Sequence, residues 1–236
     1  MNILAFDTST EYLTVAALKT EESNKCISEI SHFGALEHAE KIIPIIEKSL
    51  DSVRLTLNQC DAFVIGQGPG SFTGLRVGFG TLQGFAVSTG KPCYGIPSLD
   101  VIAQAGVAYE GGIAVIMDAR REKVYLGLYE TRKGQLTRRQ KYFCINPDEA
   151  IGKIKRAGKK IWITGTGLSK YGAYFKKNLR NALFADEKFW YPRGSNLMNL
   201  FLERRQQLKP LSVFELTPLY LQEPHIGMVK TKAHGK

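Results

Sequence analysis

The chain opens with two short apolar runs, NILAFD and LTVAAL, parted by the polar TSTEY, a pattern that predicts two strands joined as a hairpin. The pattern returns at GIAVIMD and VYLGLY, with the charged ARREK between them, so Asp7 and Asp118 each close a first strand. The apolar DAFVIG runs into GQGPGSFTG and a helical segment, and KIWITG runs into TGTGLSKYG and another. Hairpin and strand, glycine-rich turn and helix thus recur in one order, at 7/66 and at 118/165, which predicts an internal duplication into two α/β lobes. Gly106, Gly111 and Gly112 punctuate the chain between the copies, so the lobes are expected at residues 1–108 and 109–236.

Helical periodicity is clearest at ALEHAEKIIPIIEKSLD, predicted as a helix over residues 35–51. Leu36, Ala39, Ile43, Ile46 and Leu50 fall on one seam, with Ile42 and Ile45 widening it beyond what one contact with a sheet requires. Pro44 lies inside the segment and removes a backbone donor, which predicts a kink. A second helix is predicted over residues 75–88, LRVGFGTLQGFAVS, carrying Leu75, Phe79 and Leu82 in spite of Gly78, Gly80 and Gly84. Each glycine costs up to about 1 kcal/mol relative to alanine, so close helix-to-backbone packing, inside the lobe or against another protein, is expected there. A third helix is expected from Ser195, whose hydroxyl would cap SNLMNLFLERRQQL, followed by the Pro-punctuated PLSVFELTPLYLQEP and a solvated tail, KTKAHGK.

Composition adds a folded, non-membrane class to this outline: 44% apolar and 23% charged residues are ordinary globular values. No signal peptide or membrane-spanning run is legible, and a cytoplasmic location is expected. Cys26, Cys60, Cys93 and Cys144 are scattered without C-x-x-C pairs, as expected of reduced structural thiols. Charge changes the picture more. Residues 1–110 hold 7 Lys/Arg against 12 Asp/Glu, and residues 111–236 hold 25 against 10. A basic half beside an acidic one predicts a surface that meets phosphates or an acidic protein.

Candidate chemistry is sparse. The stretch Gly66 to Arg76, GQGPGSFTGLR, lies where backbone amides gather around an anion, but it fits neither a Walker loop nor G-x-G-x-x-G. A tight strand-to-helix turn built on Gly68, Gly70 and Gly74 is the expectation from spacing. Actin-like and sugar-kinase-like ATPases carry an Asp-x-Gly-x-Thr phosphate loop in such an N-terminal hairpin. Here Ser9 stands at the glycine, and the second hairpin reads Asp118-Ala119-Arg120, so nucleotide hydrolysis is disfavoured and Asp7 is expected to serve the turn. The four histidines, His32, His38, His225 and His234, form no ligand motif, and Ser71 misses the G-x-S-x-G spacing by one residue. No metal, cofactor or catalytic residue is expected.

ILAFDTST, EHAEKIIPIIEKSL, GQGPGSFTGLRVGFGTLQGFA, KPCYGIPSL, MDARREKVYLGLY and PLYLQEP together resemble the TsaB (YeaZ) family. That family is the bacterial partner of TsaD in forming N6-threonylcarbamoyladenosine at position 37 of tRNAs that read codons beginning with A. The resemblance covers most of the chain and is stronger in the first half. It implies a duplicated actin-like (ASKHA, RNase H-like) α/β fold. It also implies a non-catalytic subunit whose N-lobe helices bundle with those of TsaD or of a second copy, with a TsaE-like ATPase in the assembled complex and tRNA met through that complex. TsaD carries a metal-binding H-x-x-x-H shortly after a similar glycine-rich stretch, and Ser98 and Ile102 stand at those positions here. Leu36, Ile42, Ile43, Ile46, Leu75, Gly78, Phe79 and Leu82 are therefore the expected partner surface. An actin-like phosphotransferase or ATPase is the alternative, and a peptidase acting through Ser71 a third.

Overall fold

The computed structural model describes residues 1–21, 24–34, 36–158, 160–212 and 215–221. In the first half β1 (Ile3–Asp7), β2 (Tyr12–Glu21) and β3 (Asn24–Phe33) are followed by α1 (His38–Ser52), β4 (Ala62–Gly66), α2 (Phe72–Thr89), β5 (Cys93–Ile96) and α3 (Ser98–Gln104). In the second, β6 (Gly111–Asp118), β7 (Val124–Arg132), β8 (Gln135–Arg138) and β9 (Phe143–Ile145) precede α4 (Pro147–Ala157), β10 (Ile161–Thr164), α5 (Gly167–Asn178), β11 (Leu183–Phe184) and α6 (Gly194–Arg204). The strands form two sheets, ordered β3-β2-β1-β4-β5 and β8-β7-β6-β10-β11, with β9 pairing β7. Both are mixed in the same way: the first hairpin is antiparallel and the strands that follow each first helix run parallel to the sheet centre. The duplication read from the sequence is thus present in the topology, and the fold is a two-lobed α/β fold.

The central strands are apolar throughout because helices cover both of their faces. From β1, Leu4 and Phe6 enter a core shared with Ile42, Ile46, Leu50, Leu75, Phe79 and Leu82 of α1 and α2. Ile3 and Ala5 point the other way, onto Leu197, Met198 and Phe201 of α6. In the second sheet Ala114 and Ile116 meet Ile154 of α4 and Phe175 of α5, while Ile113 and Val115 meet Leu99 and Ile102 of α3. The helix that ends each half therefore covers the other half's sheet: α3 lies on the second and α6 on the first. A division at residues 108/109 separates the strands of the two sheets but not the helices that cover them.

Local expectations fared unevenly at the helix ends. The first helix starts at His38, not at residue 35, and Leu36 lies outside it. It continues through Pro44, which stands on the exposed side. The third expected helix starts at Gly194 with Arg193 as its unbonded cap, and Ser195 lies within its first turn. His225, His234, the final KTKAHGK and parts of the PLSVFELTPLYLQEP run lie outside the described residues.

Candidate functional site

Asp7 closes β1 with no solvent exposure. The backbone N–H of Ser9 donates to its Oδ1 at 2.7 Å and the Ser98 hydroxyl donates to its Oδ2 at 2.6 Å. Ser98, the first residue of α3, is clasped in turn by the Gly68 backbone: Gly68 N–H donates to Ser98 Oγ at 2.9 Å, and Ser98 N–H donates to the Gly68 carbonyl at 2.8 Å. Burial raises the Asp7 pKa, opposed by the hydrogen bonds from Ser9 and Ser98 and by the nearby His38. Ile102 is buried in the apolar cluster beneath the second sheet. At the two positions where TsaD is expected to carry histidines there stand a serine that joins β1 to α3 and a core isoleucine.

The glycine-rich turn closes over the Asp7–Thr10 hairpin turn. Ser71 N–H donates to the Ser9 carbonyl at 2.7 Å, and Ser71 Oγ caps α2 by accepting from Gly74 N–H at 3.2 Å. Any side chain at Gly70 or Gly74 would strike the carbonyls of Ser9 and Thr8, and Gly68 holds φ +85°. Backbone from the glycine-rich turn and the first turn of α2 thus lies directly against the Thr8 and Ser9 carbonyls. In the second lobe the corresponding turn places Arg120, Arg121 and Glu122 at positive φ, with Arg120 N–H donating to Asp118 Oδ1 at 3.0 Å and Lys170 standing 3.8 Å from the same oxygen.

The two sides of α2 use glycine differently. Gly74 and Gly78 face inward, where a Cβ on Gly78 would meet Thr8 Oγ1 and Ile65. Gly80 and Gly84, four residues apart and about half a turn round the helix from the first pair, face outward, with no atom within 4 Å of where their Cβ atoms would stand. Val87 continues that outward side at 74% exposure, Phe72 begins the helix at 39%, and Ile43 of α1 is 42% exposed. Arg76 lies over the Phe72 ring at 4.0 Å, and Tyr220 packs beside it with ring centroids 5.6 Å apart.

Of the eight residues expected at the partner surface, Ile42, Ile46, Leu75, Phe79 and Leu82 belong to the core between the first sheet and its helices, and Gly78 packs on Thr8. Their burial corrects the expectation, because the widest apolar stripe of α1 faces its own sheet. Ile43 is exposed on α1, and Leu36, 97% exposed, precedes it. Phe72 and Val87 carry no sequence signal as surface residues, whereas Gly80 and Gly84 are among the glycines for which close packing, inside the lobe or against another protein, is expected. Gly80 and Gly84 form the second of two offset Gly-x-x-x-Gly spacings in α2.

Among the described residues no group of three His, Cys, Asp or Glu side chains could hold a metal ion, and no helix is long and apolar enough to cross a membrane. The family model described as TsaD, tRNA N6-adenosine threonylcarbamoyltransferase, matches residues 32–189. The tRNA threonylcarbamoyladenosine biosynthesis protein TsaB of Haemophilus influenzae is 31% identical over 232 residues, covering 94% of each chain. Its Escherichia coli counterpart is 27% identical over 227 residues, covering 94% of this chain and 95% of its own. A crystal structure from Pseudomonas aeruginosa, described as an uncharacterized protein similar to peptidase YeaZ, superposes with a TM-score of 0.78 at 26% identity, covering 94% of this chain and 99% of that one. A second structure, YeaZ from the same organism, gives 0.75 at 24% identity and shows the shared fold. With matches that run almost end to end on a fold duplicated in this way, the chain belongs to the TsaB (YeaZ) family.

Proposed function

We propose that the chain is a non-catalytic, cytoplasmic subunit that supports formation of N6-threonylcarbamoyladenosine at position 37 of tRNAs reading codons beginning with A. In this role residues 1–108 carry the partner-binding lobe, and the outward side of α1 and α2 seats a TsaD-like catalytic subunit or, in its absence, a second copy of the chain. A TsaE-like ATPase joins the assembled complex, and tRNA is met through it. The observation that carries the proposal is the outward Gly80–Gly84 pair with Val87 exposed on the same side of α2, on a pair of helices that also expose Ile43 and Phe72. Two glycines with open space above them let a second helix approach to backbone distance, and the exposed apolar residues of the two helices supply an area that water would otherwise cover. The burial of Asp7 and the side chain at Ser9 support a subunit without nucleotide turnover of its own.

Gly84→Leu and Val87→Glu test the surface without touching the core, because neither position contacts the first sheet. Size-exclusion chromatography with light scattering, run with the TsaD-like partner, should show association lost in both variants, while their melting temperatures stay at or above the parent's. A specific interface here buries on the order of 1,200–2,000 Å², so one bulky or charged intrusion is enough to open it. Undiminished association in both variants would remove these helices from the interface. ATP hydrolysis by the purified chain above a no-protein background, and lost in an Asp7→Asn control, would contradict the non-catalytic role.

A further inference from the structure

By the duplication, α4 and α5 are the counterparts of α1 and α2: both pairs cover one face of their sheet in the same topological positions. Their outer surfaces have diverged. Where α2 shows glycine and valine, the α4–β10–α5 unit shows cations. Residues 150–185 contain nine Lys/Arg and no Asp or Glu. The acidic residues of α4, Asp148 and Glu149, sit in its first turn, and Lys155 and Arg156 in its last. Lys176 and Lys177 likewise end α5, and Arg180 follows it. Lys155, Arg156, Lys176, Lys177 and Arg180 are all exposed, and among the described residues none lies within 4.0 Å of a carboxylate.

Compensation of the helix ends does not account for this charge. Two helix C-termini present roughly half a negative charge each. Arg139 already donates to the Ala157 carbonyl at 2.6 Å, so five further cations exceed what the ends require. Two of these cations, Lys155 and Arg180, line a cleft of about 280 Å³ between the ends of α4 and α5, together with Asn178, Asn181 and the apolar Ile154, Ile161 and Leu179. Its rim thus offers charged donors and the amide donors of two asparagines. A protein-binding surface is depleted in lysine, whereas Lys155, Lys176 and Lys177 are all exposed on this face.

The geometry points to the α4–α5 end as a binding surface for the sugar–phosphate backbone of a folded RNA, with the cleft seating one phosphate and the surrounding lysines and arginines its neighbours. The inference rests on the proposed role in tRNA modification for its choice of polyanion, and adds a direct contact from the second lobe. Binding of this kind positions the RNA without reading its sequence, and each neutralised phosphate lowers the slope of log K against log salt by about 0.7–0.9.

The test is fluorescence anisotropy of an unmodified tRNA transcript with the full chain, alone and in complex with the TsaD-like partner, between about 50 and 200 mM salt. The triple variant Lys155→Ala, Lys177→Ala, Arg180→Ala should weaken binding by about tenfold or more at low salt and flatten the salt dependence by about two units. A control that removes three exposed cations elsewhere, Arg121→Ala, Lys188→Ala and Lys209→Ala, should change affinity by less than about threefold. Parent-like affinity in the triple variant, or equal loss in the control, overturns the inference. So does a triple variant that keeps tRNA affinity and loses the protein partner, which would assign the face to an acidic protein. Partner association on the same samples is read separately by light scattering, so the RNA surface can fail while the proposed function stands.

Discussion

Arg204 Nη1 of α6 donates to Asp100 Oδ2 of α3 at 2.7 Å, tying together the two helices that the halves of the chain have exchanged. The other oxygen of Asp100 accepts from the hydroxyls of Tyr129 at 2.9 Å and Tyr142 at 2.6 Å. Burial and the Asp100 charge push both phenols well above the usual tyrosine range, so they remain donors across the accessible pH range. The Asp100 side chain is 4% exposed and that of Arg204 27%.

Arg204→Met should therefore cost about 2–4 kcal/mol, since it strands a buried carboxylate with two neutral donors. Tyr142→Phe should cost about 1 kcal/mol, the loss of one of three bonds. Urea unfolding followed by circular dichroism measures both. Equal, small losses would mean that the ion pair contributes no more than an exposed one.

The two glycine pairs of α2 should respond in opposite directions. Gly78→Ala drives a methyl against Thr8 Oγ1 and Ile65 and should destabilise by about 1–3 kcal/mol. Gly84→Ala meets nothing and should stabilise by up to about 1 kcal/mol through helix propensity. Ile42→Glu, in the core, should unfold the chain rather than release a partner. Thermal melts of the three variants decide the matter.

Asp7 should give stability a distinctive pH slope. Its folded pKa lies above the usual 3.8 because burial favours the neutral acid, so its contribution is present in full below the unfolded value and is lost as pH rises through the folded one. Asp7→Asn has no proton to lose there. The stability of the parent relative to Asp7→Asn should fall steadily as pH is raised from about 4, and a difference independent of pH would show that Asp7 is ionised in the fold at no cost.

Cys60 and Cys93 are buried, and burial pushes both thiols up to about 11. At a pH of about 8 they should react with a disulfide reagent only as fast as the chain unfolds, whereas exposed Cys26 should react at once. Stopped-flow thiol titration with and without urea separates the two classes. In protein carrying Cys26→Ser and Cys144→Ser, which keeps only the two buried thiols, rapid reaction without urea would contradict the burial.

How much was legible in the sequence differs between elements and site. ILAFD, DAFVIG, GIAVIMD and KIWITG announce strands, and the repeated order of signals announces the duplication, because strand and helix periods are local properties of side-chain spacing. The motif that carries the family resemblance was equally local. Which side of each helix would be buried was not. On α1 a five-residue seam and its neighbours Ile42 and Ile45 are all apolar, and only packing on the sheet showed that Ile42 and Ile46 go inward while Ile43 stays out. On α2 two glycine pairs look alike along the chain, since a residue without a side chain carries no hydrophobic mark; the approach of Thr8 from β1's end distinguishes them. The exchange of α3 and α6 and the meeting of Asp100 with Arg204, 104 residues apart, were beyond any local signal. Sequence spacing determines which elements form, whereas the surface each one buries depends on long-range contacts whose free energy appears only when the two sheets and their shared helices come together.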